Sequence, residues 1–143
     1  MSFEKKDMKS HMTHVLVCGG TGCHSSQGDE IRRLLEEKVE EKGLDNIKVT
    51  LTGCFGLCET GPNIVIYPEG IFYSQVKLED IDEIVEEHFV KGNIIKRLLY
   101  EGAVKEETIL PVNEVNFYKK QTRVALRNCG LINPEDIDEY IAL

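Results

Sequence analysis

Two rhythms of apolar residues organise this chain. "HVLVCGG" (14–20) is a short aliphatic and β-branched run stopped by glycines, which predicts a buried strand ending at Cys18. Residues 25–44 then change period. Ile31, Leu34, Leu35 and Val39 recur at helical spacing between a cap at Ser25 or Ser26 and a stop at Gly43, so a first helix is expected. In "NIKVTLTG" (46–53), Ile47, Val49 and Leu51 alternate with polar residues, predicting a second strand that delivers the chain to Cys54. "NIVIYPEGIFYSQV" (63–76) holds two short apolar runs joined by Pro68, Glu69 and Gly70, a hairpin signal. Finally, Leu78, Ile81, Ile84, Val85 and Phe89 share one face of "KLEDIDEIVEEHFVKG" (77–92), predicting a second helix with an acidic outer face.

The order strand, helix, strand, hairpin, helix describes an α/β domain with a mixed four-stranded sheet and two main helices. A helix separates the first two strands, so they should run parallel through a right-handed crossover. Their C-terminal ends then share one end of the sheet, where open α/β sheets usually place ligands. Three regions follow: a polar N-terminal tail (1–13), the α/β domain (14–92), and a C-terminal extension (93–143). The extension opens on a helical patch and then loses steady periodicity. "NPEDIDEYIAL" (133–143) carries a cap, a proline at the first helical position and acids in the first turn, so a helix should start there and be cut off by the chain end.

Charge narrows the partners. The chain of 143 residues carries a net charge of −8, which argues against nucleic acid or an anionic membrane surface. Residues 1–91 hold 17 acidic and 10 basic side chains, whereas residues 92–143 hold 8 and 7, so composition shifts near Gly92. The sequence has no apolar run of the roughly 20 residues a spanning helix needs and no secretory signal at its polar start, so a cytoplasmic protein without membrane insertion is expected.

The chemistry lies in the cysteines. Cys18 and Cys23 form C-x4-C, and after a gap of thirty residues Cys54 and Cys58 form C-x3-C. In a reducing compartment, clustered thiols hold metal or do redox work. Soft thiolates suit both zinc and iron-sulfur clusters. Structural zinc favours pairs with about two residues between cysteines, whereas separations of four and three suit a larger binuclear core, which favours a 2Fe-2S cluster. Gly19, Gly20, Gly22, Gly53, Gly56 and Gly61 would let backbone N–H groups approach sulfur, and a helix starting just after Cys23 would favour an anion. The alternative is a zinc-binding interaction module that docks a partner subunit through its acidic helices. "CGGTGC" lacks the Lys and Ser/Thr of a phosphate-binding loop, and the redox motif C-x-x-C of a catalytic dithiol is absent.

"CGGTGC" and "GCFGLCETGP", with the helix and strand between them, resemble the thioredoxin-like 2Fe-2S ferredoxins over residues 14–91. The resemblance implies a thioredoxin-like fold and a 2Fe-2S cofactor ligated by Cys18, Cys23, Cys54 and Cys58, without catalytic residues. The extension, "VKGNIIKRLLY" followed by "FYKKQTRVALRNCGLINPEDIDEYIAL", resembles the start of the NADH-oxidising flavoprotein subunit of NADH dehydrogenases and of the beta subunit of bifurcating or NAD(P)-linked iron hydrogenases. That likeness implies an electron-relay part of a larger complex whose other subunits or domains are its partners. No flavin or nucleotide site carries over, because the relevant motifs lie beyond Leu143. Free members of the ferredoxin family tend to dimerise, so a homodimer is also admitted, and a complete small subunit whose tail threads into a neighbour is a further alternative.

The remaining candidates read more plainly. Cys129 is a lone thiol, expected to pack or stay free. His24 is expected as a solvated loop residue and His88 as an edge residue of the second helix. Lys119, Lys120, Arg123 and Arg127 form a stretch free of acids between Val115 and Pro134, which should pack against a further domain or partner.

Overall fold

The computed structural model describes residues 12–105 and 108–143. The expected N-terminal tail therefore lies outside the described residues up to position 11. Strand β1 (Thr13–Cys18) pairs in parallel with β2 (Ile47–Thr52) and antiparallel with β3 (Ile64–Tyr67), which pairs antiparallel with β4 (Ile71–Tyr73). The sheet order β2-β1-β3-β4 is the mixed four-stranded sheet expected from the pattern.

Helix α2 (Gly28–Glu41) makes the crossover between β1 and β2 and buries Ile31, Leu35 and Val39. It starts later than its apolar period suggests. A separate single-turn helix, α1 (Thr21–Ser25), precedes it and contains Cys23, and Gln27 at φ 69° turns the chain between the two. Ser25 caps nothing; its hydroxyl donates back to the Thr21 carbonyl at 2.9 Å. The second long helix is built from a tight turn (Leu78–Asp80), a single α-helical turn α3 (Ile81–Glu83) and a widened stretch (Ile84–Val90). Ile81, Ile84 and Val85 are buried, as their shared face requires, and Leu78 and Phe89 pack beside them.

Both faces of the sheet are covered. Register places Val15, Val17, Ile64, Ile66, Ile71 and Tyr73 on the face that receives the helices, and Leu16, Cys18, Val65 and Phe72 on the other. The cover of this second face is the C-terminal extension. In residues 93–99 the expected helical patch is reduced to one tight turn, Lys96–Leu98. Ile95, Leu98 and Leu99 close the first core, and Leu99 bridges to Tyr73 along the open edge of β4. Pairing unsatisfied edge N–H and C=O groups outweighs weak helical periodicity here: Ser74 N–H donates to the Leu98 carbonyl and Tyr100 N–H to that of Phe72.

A small ribbon, β5 (Val104–Lys105) with β6 (Thr108–Ile109), then leads the chain across the second face, where Val112, Tyr100 and Tyr118 pack around Phe72. Phe72 is fully buried, with ring centroids 5.0 Å from Tyr100, 5.9 Å from Phe55 and 6.4 Å from Tyr118. A short helix α4 (Asn116–Lys119) follows. The terminal helix α5 (Ile137–Ala142) begins later than expected, because Asp136, rather than Asn133, supplies the capping carboxylate to the N–H groups of Asp138 and Glu139. Lys48 on β2 holds α5 through Glu139 at 2.6 Å. No helix among the described residues is long and apolar enough to cross a membrane.

Candidate metal centre

The parallel pairing of β1 and β2 decides where the thiols meet. Cys18 is the last residue of β1, opposite Thr52 at the end of β2, and Cys54 follows two residues later. Cys23 hangs from α1, and Cys58 opens a one-turn helix, Cys58–Thr60. The four side chains stand as two pairs. Cys18 and Cys23 are buried in one cluster, and Cys54 and Cys58 lie with sulfurs 3.8 Å apart, half-buried and exposed respectively. Among the described residues, no three His, Cys, Asp or Glu side chains are gathered as ligands of a single ion.

Glycines set how close the pairs approach one another. A Cβ at Gly20 would lie 3.0 Å from Cys54 Sγ and 3.5 Å from Cys18 Sγ, so this backbone point is shared by both pairs. A Cβ at Gly61 would stand 2.6 Å from Cys23 Sγ, inside contact distance. Backbone amides use that approach. Gly56 N–H donates to Cys54 Sγ at 3.3 Å, and the nearby amides of Gly20 and Phe55 favour the Cys18 thiolate. Burial pushes the Cys18 thiol up to about 12 despite those amides, so its proton must be displaced before it can bind a metal. Its exposed counterpart Cys58 is also raised, through its hydrogen bond to Cys54.

The donor set fits a 2Fe-2S group. Two thiolates on one tetrahedral centre with bonds of about 2.3 Å stand roughly 3.8 Å apart, which is the separation of Cys54 and Cys58. Two such pairs, with amides directed at sulfur and glycines leaving space between them, suit a binuclear anionic core. The long helix starts five residues after Cys23, at Gly28, where a Cβ would lie 2.8 Å from the Cys23 carbonyl oxygen and 3.3 Å from that of Cys18.

Several residues of the site carry no chemical signature. Asn63, fully buried, donates Nδ2 to the Leu57 carbonyl at 2.8 Å and accepts from the Thr60 hydroxyl, while its own carbonyl accepts from Cys18 N–H. The only sequence hint is a polar residue opening an apolar strand. Phe55 anchors the cysteine loop in the second core, and Cys129 packs against Gly53, whose Cβ would lie 2.7 Å from its sulfur. Cys129 is thus a packing thiol beside the loop. His24 is exposed and faces Asp29 at 3.0 Å. The acids of the second long helix are engaged at home: Asp82 with Lys38, Glu83 with Arg97, Glu86 with Lys42 and Glu87 with Lys91.

A small α/β fold with two cysteine pairs beside one sheet end suits an iron-sulfur electron carrier. The sequence profile of the thioredoxin-like 2Fe-2S ferredoxins matches residues 2–88, and the chain belongs to that family. It is 42% identical to a 2Fe-2S ferredoxin of Clostridium pasteurianum over 59% of this chain and 92% of that protein. Its fold is similar to a solved thioredoxin-like 2Fe-2S ferredoxin of Aquifex aeolicus, with a TM-score of 0.58 and 33% identity over 70% of this chain and 97% of that one. A third similarity is short: 72% identity over 25 residues, 18% of this chain, to 5% of the NADP-reducing hydrogenase subunit HndC of Solidesulfovibrio fructosivorans.

Proposed function

We propose that Cys18, Cys23, Cys54 and Cys58 hold the 2Fe-2S cluster of this ferredoxin, and that the chain relays single electrons within an NAD(P)H-linked hydrogenase or NADH dehydrogenase complex. The observation that carries the ligand assignment is the meeting of the two cysteine pairs at Gly20, across the ends of two parallel strands. The bound cluster supplies reversible one-electron chemistry. The protein's part is electrostatic and steric: Cys18 and Cys23 sit in a dry pocket, amides from Gly20, Phe55 and Gly56 balance thiolate charge, and Cys58 leaves one side open to a redox partner. No proton transfer or nucleophile is needed.

Placement in a larger complex is supported by the short similarity to a hydrogenase subunit and by the outer surface of the extension. Val124, Leu126, Ile137, Tyr140 and Ile141 are all more than half exposed there, a patch that suits burial by another subunit or domain. We read residues 14–92 as the ferredoxin domain and 93–143 as the opening of a flavoprotein-type segment. A cytoplasmic location suits thiols that must stay reduced until the cluster is built.

Iron, acid-labile sulfide and zinc analysis of anaerobically prepared protein, with electron spin resonance after reduction, tests the ligand set. Two irons and two sulfides per chain, lost in Cys18→Ser and Cys54→Ser, are expected. One zinc without sulfide would decide for the structural-zinc alternative. Co-purification of the full chain with the redox subunits of its host tests the complex, and recovery of the chain alone would count against it.

A further inference from the structure

We infer that residues 112–132 form a strap that fixes the cysteine loop, with Tyr118 as the positioning residue for the amide that faces Cys54. This inference rests on the ligand assignment above and concerns residues outside the family match at 2–88. Four contacts define the strap. Tyr118 Oη donates to the Phe55 carbonyl at 3.0 Å, and the Phe117 ring lies 3.8 Å from where a Cβ of Gly56 would be. Gly130 N–H donates to Thr52 Oγ1 at 3.0 Å, and that hydroxyl donates to the Ile132 carbonyl at 2.7 Å. Arg123 ties the two ends of the strap, stacking 5.3 Å from the Tyr118 ring centroid and donating to the Cys129 carbonyl at 3.2 Å.

Peptide planarity turns the Tyr118 contact into control of a sulfur. The Phe55 carbonyl and the Gly56 N–H belong to one rigid trans peptide unit and point in opposite directions. Holding the carbonyl with Tyr118 therefore aims the N–H at Cys54 Sγ, where it is found at 3.3 Å. Gly56, at φ +86°, has no Cβ to resist rotation of that unit, so the outside restraint matters more. A hydrogen bond to a cluster sulfur stabilises the reduced, more negative state and raises the reduction potential. The strap thus helps set the potential as well as sealing the loop.

Tyr118→Phe keeps the ring in its aromatic cluster and removes only the donor. In the full-length, cluster-loaded protein it should lower the midpoint potential and speed chelator-driven loss of the visible absorbance by about 2- to 10-fold, the range for one neutral hydrogen bond. Tyr118→Ala should push both readouts further in the same direction. A merely structural tyrosine would change thermal stability and leave the potential where it was. An unchanged potential and loss rate in Tyr118→Phe, with Cys54→Ser abolishing the cluster spectrum, would overturn the strap and leave the ligand set standing. A cluster spectrum unchanged in Cys54→Ser would instead overturn the ligand set.

Discussion

Asn63 and Leu57 are joined by a hydrogen bond of 2.8 Å, from a fully buried side-chain amide to the carbonyl just before Cys58. Because Asn63 also accepts Cys18 N–H through its own carbonyl, one residue fixes the backbone beside a cysteine of each pair. Both cysteine pairs are thus held by the sheet.

Asn63→Ala should therefore cost about 1 kcal/mol, the net worth of a hydrogen bond, because the Leu57 carbonyl keeps the Thr60 N–H and hydroxyl as donors. Urea unfolding of the loaded protein measures it. A loss below about 0.5 kcal/mol would show that water replaces the side chain there.

Gly61→Ala should impair assembly of the site. The new methyl would stand 2.6 Å from Cys23 Sγ, closer than real contacts allow, so the thiol or the loop must move. Iron content per chain after anaerobic reconstitution should fall, while Gly43→Ala, where a Cβ meets nothing within 4 Å, should keep its iron and lose only the ~1 kcal/mol of a left-handed residue.

Cys129→Ala separates the fifth cysteine from the four. Its sulfur packs on Gly53, so the substitution should leave iron and sulfide unchanged and destabilise the protein by no more than about 1–2 kcal/mol. Loss of iron on the scale expected for Cys54→Ser would give Cys129 a ligand role.

Stability should fall as pH drops below about 6.5, and part of the slope should belong to His88. Ile95 N–H donates to Tyr73 Oη at 3.0 Å, and Tyr73 Oη is hydrogen-bonded to His88 Nδ1 at 2.7 Å, where a neutral ring can accept from the tyrosine hydroxyl. Burial holds His88 below its ordinary value, although the nearby Glu69 pulls the other way. The unfolded chain then binds a proton from about pH 6.5 downward that the folded chain resists, so stability is present above that pH and lost below it. His14, also lowered by burial, adds to the same slope. Comparing urea midpoints at pH 7.5 and 5.5 in wild type and His88→Phe tests this, and an identical pH slope in the two would rule out the His88 contribution.

Much of this site is readable from order along the chain. Cys18 and Cys54 each follow an apolar run, a helix separates those runs, and a right-handed crossover then has little choice but to bring both run ends together. Apolar period found the strands and both long helices for the same reason: Val15, Ile31, Ile66 and Ile81 bury at spacings that only one secondary structure satisfies. Local pattern misled where tertiary bonds outweighed it, as at residues 93–99, drawn into edge pairing with β4, and at Cys23, placed in its own helical turn before α2.

The sequence by itself thus determined the sheet, the placing of both cysteine pairs beside its parallel strand ends, and the family. Only the tertiary structure decided what lies on the sheet's second face. Thr50 and Thr52 read as the polar side of β2, yet both are buried, and the extension folds over Thr52, whose hydroxyl it satisfies through Gly130 and Ile132. Those partners lie about 80 residues away, and no local period encodes a hydrogen bond across that distance. The orientation of the Gly56 amide, set through Tyr118, belongs to the same class of long-range decision.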